Sequence, residues 1–319
     1  MSYSDRLTAP LPSYRDVWKM MRERGSSRDL AAGAATIPVA SAGGELPAVD
    51  PGTIAVTWAG HASFVIRFGS ERSSEASDAA GATGGLTVLT DPVWSRRIPG
   101  VASRLTPVGV AWEALPRIDA VLISHNHYDH LDAPTIRRLP RDTPVLVPAK
   151  LGRWFRRRGF TEITELDWWE SHRLGEVSLD FVPAHHWSRR TLTDTCRTLW
   201  GGWILSTSDP RIYFAGDTGY GHWFTEIGRR YPGIDLALMP VGAYEPRWFM
   251  RSMHVNPQEA VQASQDLAAT RMATMHWGTF VLSGEPVTEP PELAAKAWAE
   301  AGLPREHLWD LAVGETRTL

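Results

Sequence analysis

The chain has 319 residues, of which 43% are hydrophobic and 22% are charged, and its formal net charge is −3. This balance is typical of a globular enzyme and does not favour a nucleic-acid partner, which would show as a basic excess. A single cysteine, Cys196, excludes an intrachain disulfide, as is usual in a reducing compartment. Residues 1–20 lack the basic and apolar regions of a signal peptide, and no apolar run approaches the roughly 20 residues that span a bilayer. We therefore expect a cytoplasmic protein.

The first part of the chain differs in composition from the rest. Residues 1–50 are rich in Ala, Gly, Pro and Ser and contain one short amphipathic segment at 14–24. Such a composition is typical of a segment that wraps a domain or is partly mobile. We interpret residues 1–50 as an N-terminal arm and residues 51–319 as a single domain.

Strands and helices alternate along the rest of the chain. The sequence TIAVTWAGHASFVIRF predicts two strands that are interrupted at residues 59–61, and the Gly-, Ser- and Ala-rich residues 69–85 predict a mobile hairpin loop. Short apolar segments predict further strands at 86–90, 120–124, 143–149, 177–183, 203–206, 211–215, 236–240 and 273–276. Helices are predicted at 132–139, 150–158, 257–269 and 292–301. Strands mixed with helices throughout favour sheets that are covered by helices.

The segment HNHYDH, residues 125–130, follows directly on a predicted strand and holds four potential metal ligands. Imidazole and carboxylate groups are common ligands of Zn²⁺. Their spacing is too short for convergence on one tetrahedral ion and suits two adjacent ions. We predict that His125 and His127 face one ion, whereas Asp129 and His130 face the other.

Three later strands also end in a potential ligand. A histidine pair, His185 and His186, follows the strand that ends in VPA; Asp217 follows IYFAG, and His276 follows MATM. Strand ends hold loop residues rigidly, which suits ligands. We predict that one histidine of the pair completes the first site, that His276 completes the second, and that Asp217 bridges the two ions.

The motifs of the chain resemble those of a known family. HNHYDH matches the HxHxDH signature of metallo-β-lactamase-fold hydrolases, and the stretches PAHHWSRRT, YFAGDTGY, GAYEPRWFM and MHWGTF are similar to the branch typified by N-acyl-phosphatidylethanolamine-hydrolysing phospholipase D. The resemblance, which runs from about residue 55 to 283, implies an α+β fold, an αββα sandwich of two mixed β-sheets flanked by helices. It also implies that His186, which directly precedes Trp187, is the metal ligand and that His185 is a wall residue of the substrate pocket.

Other residues are candidates for roles around the metal ligands. Tyr244, Arg247 and Trp248, in the GAYEPRWFM stretch, are expected to line the mouth of the pocket. His61 is expected to orient the metal loop through a hydrogen bond, and the carboxylate of Asp91 is expected to accept the free N–H of a liganding histidine.

The predicted function is metal-dependent hydrolysis. Two divalent ions, Zn²⁺ or alternatively Mn²⁺ or Fe²⁺, would share a bridging water and lower its pKa toward ~7, and Asp129 and Asp217 would position the resulting hydroxide. His254 is the candidate that contacts a phosphoryl oxygen or protonates the leaving group, with a structural role as the alternative.

The resemblance implies cleavage of an N-acyl-phosphatidylethanolamine-like phosphodiester. The alternatives are a lactonase or a cyclic- or sugar-phosphate hydrolase on the same dinuclear site, a di-iron redox protein of the same fold, and a binding protein that keeps a metal site.

The expected partners follow from this function. The substrate would be a small molecule or a phospholipid, and a lipid substrate would require transient peripheral contact with a membrane surface through exposed apolar residues. The arginines of residues 150–158 could contact anionic headgroups or could form a solvated basic face. A homodimer is expected by similarity to related enzymes.

Overall fold

Two seven-stranded sheets form the centre of the protein in a computed structural model that describes residues 2–23, 25–40, 46–69 and 85–319. Nearly all of the hairpin loop predicted at 69–85 lies outside the described residues. The strands are β1 (Ile54–Gly60), β2 (Ser63–Phe68), β3 (Leu86–Thr90), β4 (Arg97–Ile98), β5 (Ala102–Ser103), β6 (Ala120–Leu122), β7 (Val145–Pro148), β8 (Ile163–Leu166), β9 (Ser171–Leu174), β10 (Val177–Val182), β11 (Gly202–Ser206), β12 (Arg211–Phe214), β13 (Leu236–Pro240), β14 (Arg271–Met275), β15 (Leu308–Trp309) and β16 (Thr316–Thr318). The α-helices are α1 (Tyr14–Glu23), α2 (Ser27–Leu30), α3 (Ala133–Arg138), α4 (Gly152–Arg156), α5 (Trp223–Arg230), α6 (Arg247–Met250), α7 (Pro257–Asp266) and α8 (Glu289–Glu300).

Both large sheets are mixed. The first has the order β16-β1-β2-β3-β6-β7-β8 and is antiparallel from β16 to β3 and parallel from β3 to β8. The second has the order β15-β14-β13-β12-β11-β10-β9, with parallel pairs from β15 to β12 and antiparallel pairs beyond. The predicted α+β sandwich of two mixed sheets flanked by helices is confirmed.

The alternation of side chains along the strands explains the layers. Phe64 and Ile66 of β2 belong to the core that includes the apolar side chains of both sheets, whereas Val65 between them packs in a separate cluster with Ile136 of α3 and Phe155 of α4. Successive side chains of a strand point to opposite faces, so the first sheet has an apolar layer on each side. Burying each such side chain contributes about 1.5–3 kcal/mol to folding.

Several element boundaries differ from those predicted. The first strand continues through Gly60, so the chain turns at His61 and Ala62. β14 begins at Arg271, before the predicted start at 273, and it ends at Met275, so His276 lies just outside it. The elements that were not predicted are strands β4, β5, β8, β9, β15 and β16 and helices α2, α5 and α6.

The N-terminal residues contact the sandwich at several points. The amide of Tyr3 donates to the carbonyl of Cys196 at 2.7 Å, and Val39 forms a bridge with Val313. Leu30 and Ile37 are buried in the central core. Helix α1 has no buried residue. No helix in the described ranges is both long and apolar enough to cross a lipid bilayer.

Strand direction brings the predicted ligands to one edge of the sandwich. Strands β1, β3 and β6 run the same way in the first sheet, as do β10, β12 and β14 in the second. The segments after their carboxyl ends carry the residues of the candidate site: His61, Asp91, His125, His127, Asp129, His130, His186, Asp217 and His276.

Candidate metal centre

Three histidines and one aspartate converge in the first half of the site. The Nδ1 atom of His127 lies 2.8 Å from Nε2 of His125 and 3.2 Å from Nε2 of His186. Oδ2 of Asp217 lies 3.8 Å from both of those Nε2 atoms. Four ligand atoms thus surround one small volume, as four-coordinate metal sites require.

Hydrogen bonds at Nδ1 determine which ring nitrogen of His125 and of His186 carries the lone pair. The hydroxyl of Ser124 donates to Asp91 and lies 2.9 Å from Nδ1 of His125, so it accepts the Nδ1–H of that ring. His186 donates its Nδ1–H to the carbonyl of Met253 at 2.9 Å. Each ring therefore directs an unprotonated Nε2 toward the centre, which is the arrangement of a metal-binding imidazole.

The second half of the site contains Asp129, His130 and His276. The Nε2 atoms of both histidines lie 3.5 Å from Oδ2 of Asp129. Asp217 also contacts this half, with Oδ2 at 3.1 Å from His130 Nε2 and Oδ1 at 3.2 Å from His276 Nε2. Asp217 thus lies between the two halves, at the place predicted for a bridging carboxylate.

Two further buried residues support the second half. Asp91 accepts the Nδ1–H of His130 at 2.7 Å, and His61 donates Nε2–H to Oδ2 of Asp129 at 3.1 Å. Burial lowers the pKa of His61 to about 3, so its ring is neutral. The hydrogen bonds predicted for Asp91 and His61 are therefore confirmed.

The backbone around these residues is strained. His61, Asp91 and His276 have φ values of 56°, 33° and 64°, a region that residues other than glycine rarely adopt. The amide of His276 donates to the carbonyl of His61 at 3.0 Å and joins two of these turns. Strain of this kind persists where the surrounding structure fixes the chain, and it clusters at functional sites.

The electrostatics of the site call for cations. Burial would raise the pKa of Asp217, but His130 and His276 hold it well below its usual range. Burial likewise disfavours a charged His276, but Asp217 and Asp129 raise its pKa to about 9. The buried atoms His130 Nε2, His276 Nε2 and Asp217 Oδ1 have no hydrogen-bond partner among the described residues. The two carboxylates Asp129 and Asp217 therefore require positive charge beside them, which protonated histidines supply here and which divalent cations could supply in their place.

His254 lies beside both halves of the site. Its ring centroid is 5.2 Å from that of His186 and 5.8 Å from that of His276. Burial lowers the pKa of His254 to about 4, and its Nδ1 atom is buried with no hydrogen-bond partner in the described part of the chain. His254 is therefore a neutral ring with an unused nitrogen next to the predicted ligands.

Tyr244 and Arg247, predicted for the pocket mouth, make contacts with helices. The hydroxyl of Tyr244 donates to Glu289 at the start of α8. Arg247 donates to both carboxylate oxygens of Glu259 in α7, at 3.0 and 2.8 Å, and to the carbonyl of His254 at 2.9 Å. Arg247 thus fixes the segment that carries His254.

Trp248 and His185 contact the N-terminal residues. The indole N–H of Trp248 donates to Glu23 at 2.8 Å, and Nδ1 of His185 lies 2.7 Å from the hydroxyl of Thr8. His185 also has His222 as a ring neighbour. Its contacts are thus with the N-terminal arm and the segment before α5.

A groove of about 420 Å³ opens beside the predicted ligands His127 and Asp129. Its other lining residues are Ile98, Val101, Tyr128, Trp187, Arg189, Arg190, Thr191 and Leu192. The wall is largely apolar and carries two arginines. Sequence reasoning missed the β4–β5 hairpin that supplies Ile98, although the Pro99-Gly100 pair is a turn signal.

Sequence reasoning also missed Arg190, which holds the metal loop. Its Nη1 donates to the carbonyl of Asn126 at 3.0 Å, and its guanidinium lies 4.1 Å from the centroid of the Tyr128 ring. The hydroxyl of Tyr128 donates back to the carbonyl of Arg190 at 2.8 Å. The only sequence signal was its position shortly after the histidine pair.

Comparisons with known proteins agree with this geometry. Residues 87–277, more than half of the chain, match the family described as the beta-lactamase superfamily domain. The chain is 38% identical over 288 residues to an uncharacterized protein of Mycobacterium tuberculosis, which covers 86% of this chain and 71% of that protein. It is 35% identical over 241 residues to the N-acyl-phosphatidylethanolamine-hydrolyzing phospholipase D 1 of Caenorhabditis elegans, which covers 70% of this chain and 64% of that enzyme.

Solved structures show the same fold. A possible metal-dependent hydrolase of Veillonella parvula superposes with a TM-score of 0.64 at 17% identity, covering 83% of this chain and 99% of that chain. At this identity the likeness shows the fold alone. With the family match and the His/Asp groups able to bind metal, the chain belongs to the beta-lactamase superfamily and is a metal-dependent hydrolase of the metallo-β-lactamase fold.

Proposed function

We propose that this protein is a dinuclear phosphodiesterase of the phospholipase D type that cleaves N-acyl-phosphatidylethanolamine-like lipids. The observation that carries the proposal is the pair of His/Asp groups sharing Asp217 at the end of a largely apolar groove with two arginines. The relative from Caenorhabditis elegans, named for hydrolysis of such lipids, supports the choice of substrate.

The chain offers a complete set of ligands for two ions. In our proposal one ion is held by His125, His127 and His186, and the other by Asp129, His130 and His276, with Asp217 shared. When bound, two divalent cations, Zn²⁺ in our proposal, supply Lewis acidity that activates a water and stabilises negative charge on the phosphoryl group.

The remaining polar groups would orient the reactants. We assign the carboxylates of Asp129 and Asp217 to accept hydrogen bonds from the attacking water and so to orient it. We assign His254, whose buried Nδ1 has no hydrogen-bond partner among the described residues, to share a proton with a phosphoryl oxygen or the leaving oxygen. Because burial keeps His254 neutral, the proton that it passes to the leaving oxygen would be one that it takes up from the attacking water.

The groove suits a substrate with an apolar part and an anionic part. Val101 and Leu192 line it and remain exposed, Leu192 to 82%, so an acyl chain lying in the groove would remove apolar surface from water. Arg189, on the same wall, would face the negative charge of the phosphodiester. A small lactone or sugar phosphate would leave most of this apolar wall unused.

The test compares three substrates with the same metal-loaded preparation: N-acyl-phosphatidylethanolamine, bis(p-nitrophenyl) phosphate and a simple lactone. We expect both phosphodiesters to be cleaved, the lipid with the higher kcat/KM, and the lactone to be left intact. Asp217→Asn should abolish the activity, whereas the control Asp180→Asn, which changes a buried carboxylate bound by Ser171 and Ser178 within β9 and β10, should preserve it. Cleavage of the lactone alone would contradict the proposal and favour a lactonase.

A further inference from the structure

Helix α1 presents an apolar face that no described part of the chain covers. Tyr14, Trp18 and Met21 follow one another at the i, i+4, i+7 spacing that places side chains on one side of a helix. Their exposed fractions are 80%, 61% and 66%. A contiguous group of large exposed side chains marks an interaction site more often than a chance arrangement does.

The charges on the same side of α1 are positive. Arg15 and Arg22 are exposed and lie about one helical turn before and after Trp18. The Arg22 guanidinium is 4.6 Å from the Trp18 ring centroid. The acidic residues of the helix are engaged within the protein. Asp16 accepts hydrogen bonds from the amide and hydroxyl of Ser13, at 2.8 and 2.6 Å, and Glu23 accepts the indole N–H of Trp248. The outward side of α1 is therefore both apolar and cationic.

The contacts of α1 attach it to the segment beside the metal centre. Lys19 lies 4.3 Å from the Trp248 ring centroid, next to the hydrogen bond between Trp248 and Glu23. Trp248 follows Arg247 in α6, and Arg247 donates to the carbonyl of His254. Two successive contacts thus connect α1 to a residue that adjoins the predicted ligands.

We propose that α1 binds the surface of an anionic lipid bilayer, with Tyr14, Trp18 and Met21 at the boundary between headgroups and acyl chains and with Arg15 and Arg22 on headgroup phosphates. Aromatic side chains favour this boundary, and amphipathic helices with basic flanks lie in it. An anionic bilayer complements the two arginines, whereas a second copy of α1 would bring like charges together. This inference stands without the proposed phosphodiester specificity, because the binding needs no substrate.

The basic segment at 150–158 is a poorer candidate for the same contact. Arg156 pairs with Glu165 at 2.6 Å, and the guanidinium of Arg158 lies 3.5 Å from the Trp154 ring centroid. Arg153 and Arg157 are exposed, but no large apolar side chain of residues 150–158 is, so this segment lacks the exposed apolar face that α1 has.

The first measurement is sedimentation of the full chain with vesicles of phosphatidylcholine alone or mixed with phosphatidylglycerol. We expect binding to the mixed vesicles that weakens as salt is raised. Removing both arginines, in Arg15→Ala with Arg22→Ala, should weaken binding roughly 25-fold, and Trp18→Ala about 10-fold. The matched control is Arg229→Ala with Lys296→Ala, which removes two basic residues that are each 70% exposed on other helices and should leave binding unchanged.

The second measurement locates the contact. Cys196 is buried and is the only cysteine, so an environment-sensitive fluorophore can be attached to Met21→Cys, with Lys296→Cys as the control position. Mixed vesicles should shift the emission of the label at position 21 to the blue and leave that at 296 unchanged. The proposal is overturned by absent vesicle binding, by binding that ignores the α1 substitutions, or by a blue shift that depends on protein concentration without vesicles, which would indicate self-association. Hydrolysis of bis(p-nitrophenyl) phosphate by the α1 variants should equal that of the unaltered chain, so failure here is distinct from failure of the proposed function.

Discussion

Asp91 offers a sharp test of how the buried hydrogen bonds prepare the metal centre, through the substitution Asp91→Asn. Its Oδ1 accepts the amide N–H of Ser124 at 2.7 Å, and its Oδ2 accepts Nδ1–H of His130 at 2.7 Å. If the new amide keeps its oxygen on the Ser124 amide, its NH₂ group must face His130. To avoid two opposed donors, His130 would move its proton from Nδ1 to Nε2, and Nε2 is the atom that we assign to metal binding.

The expected size of the effect follows from the lost interaction. A hydrogen bond to a charged group contributes about 1.5–3 kcal/mol, which corresponds to roughly 10- to 150-fold in an equilibrium constant. Loss of such a partner of a metal ligand typically costs about 10–100-fold in metal affinity. Asparagine tolerates the left-handed backbone at this position, where φ is 33°, so the fold should survive.

The assay is competition with a chromophoric chelator, which gives the Kd of each bound ion. Asp91→Asn should weaken binding of the ion at the His130 half of the site. Asp180→Asn, which changes a buried aspartate that accepts hydrogen bonds from Ser171, Ser178 and Tyr231, should not. Unchanged affinity for both ions in Asp91→Asn would refute the argument that Asp91 determines the tautomer of His130.

Three further predictions follow from the site. Arg190→Lys should weaken metal affinity about 10-fold, because lysine cannot both donate to the Asn126 carbonyl and stack on Tyr128. An unaltered chelator-competition curve would contradict this prediction. Removing the metal by dialysis against chelator should lower Tm by about 5 °C, because a ligand at 100 times its Kd stabilises by about 2.7 kcal/mol and each kcal/mol shifts Tm by about 2 °C. Scanning fluorimetry measures the Tm, and failure of added metal to restore it would contradict this prediction. Gly216→Ala should lower the free energy of unfolding by about 1–2 kcal/mol and lower the metal content, because φ is 60° and the new Cβ would lie 2.6 Å from Cβ of Ser124, next to Asp217. Denaturant unfolding and metal analysis measure the two effects, and unchanged values of both would contradict the prediction.

The convergence of the predicted ligands could be predicted from the sequence because strand direction determines at which edge of the sheet each ligand lies. Apolar segments that end in His or Asp identify the carboxyl ends of strands, and those ends meet at one edge of the sandwich. Asp217 and His276 are far apart in sequence but lie 3.2 Å apart at their nearest ligand atoms. The local pattern was enough here because each ligand follows a strongly apolar strand.

The contacts of the residues around the ligands could not be predicted in the same way. The position of Tyr244 and Arg247 after β13 indicated only that they lie near the site, whereas their hydrogen bonds go to Glu289 and Glu259. Glu289 and Glu259 belong to helices α8 and α7, and only the folded structure shows which side chains these helices bring to Tyr244 and Arg247. The hydrogen-bonding capacity of a side chain says nothing about which distant residue will satisfy it.

In the two large sheets, the strands that were missed lie at the edges: β8, β9, β15 and β16. β8 and β9 are the outermost strands of their sheets, and their sequences, ITEL and SHRL, are only partly buried. A strand with one free edge needs less apolar surface, so its sequence carries a weaker signal. The burial of Leu30 and Ile37 was also missed, because composition marked the first fifty residues as an arm and gave no indication of what they pack against.

The measurement that tests the account most directly is metal content per chain, determined by elemental analysis on the as-purified protein and on one variant in each half of the site. The account predicts about two divalent ions per unaltered chain and a loss confined mainly to one ion in His127→Ala and in His276→Ala. One ion or none in the unaltered chain after metal reconstitution, or two ions retained by both variants, would contradict the assignment of a dinuclear centre to these residues.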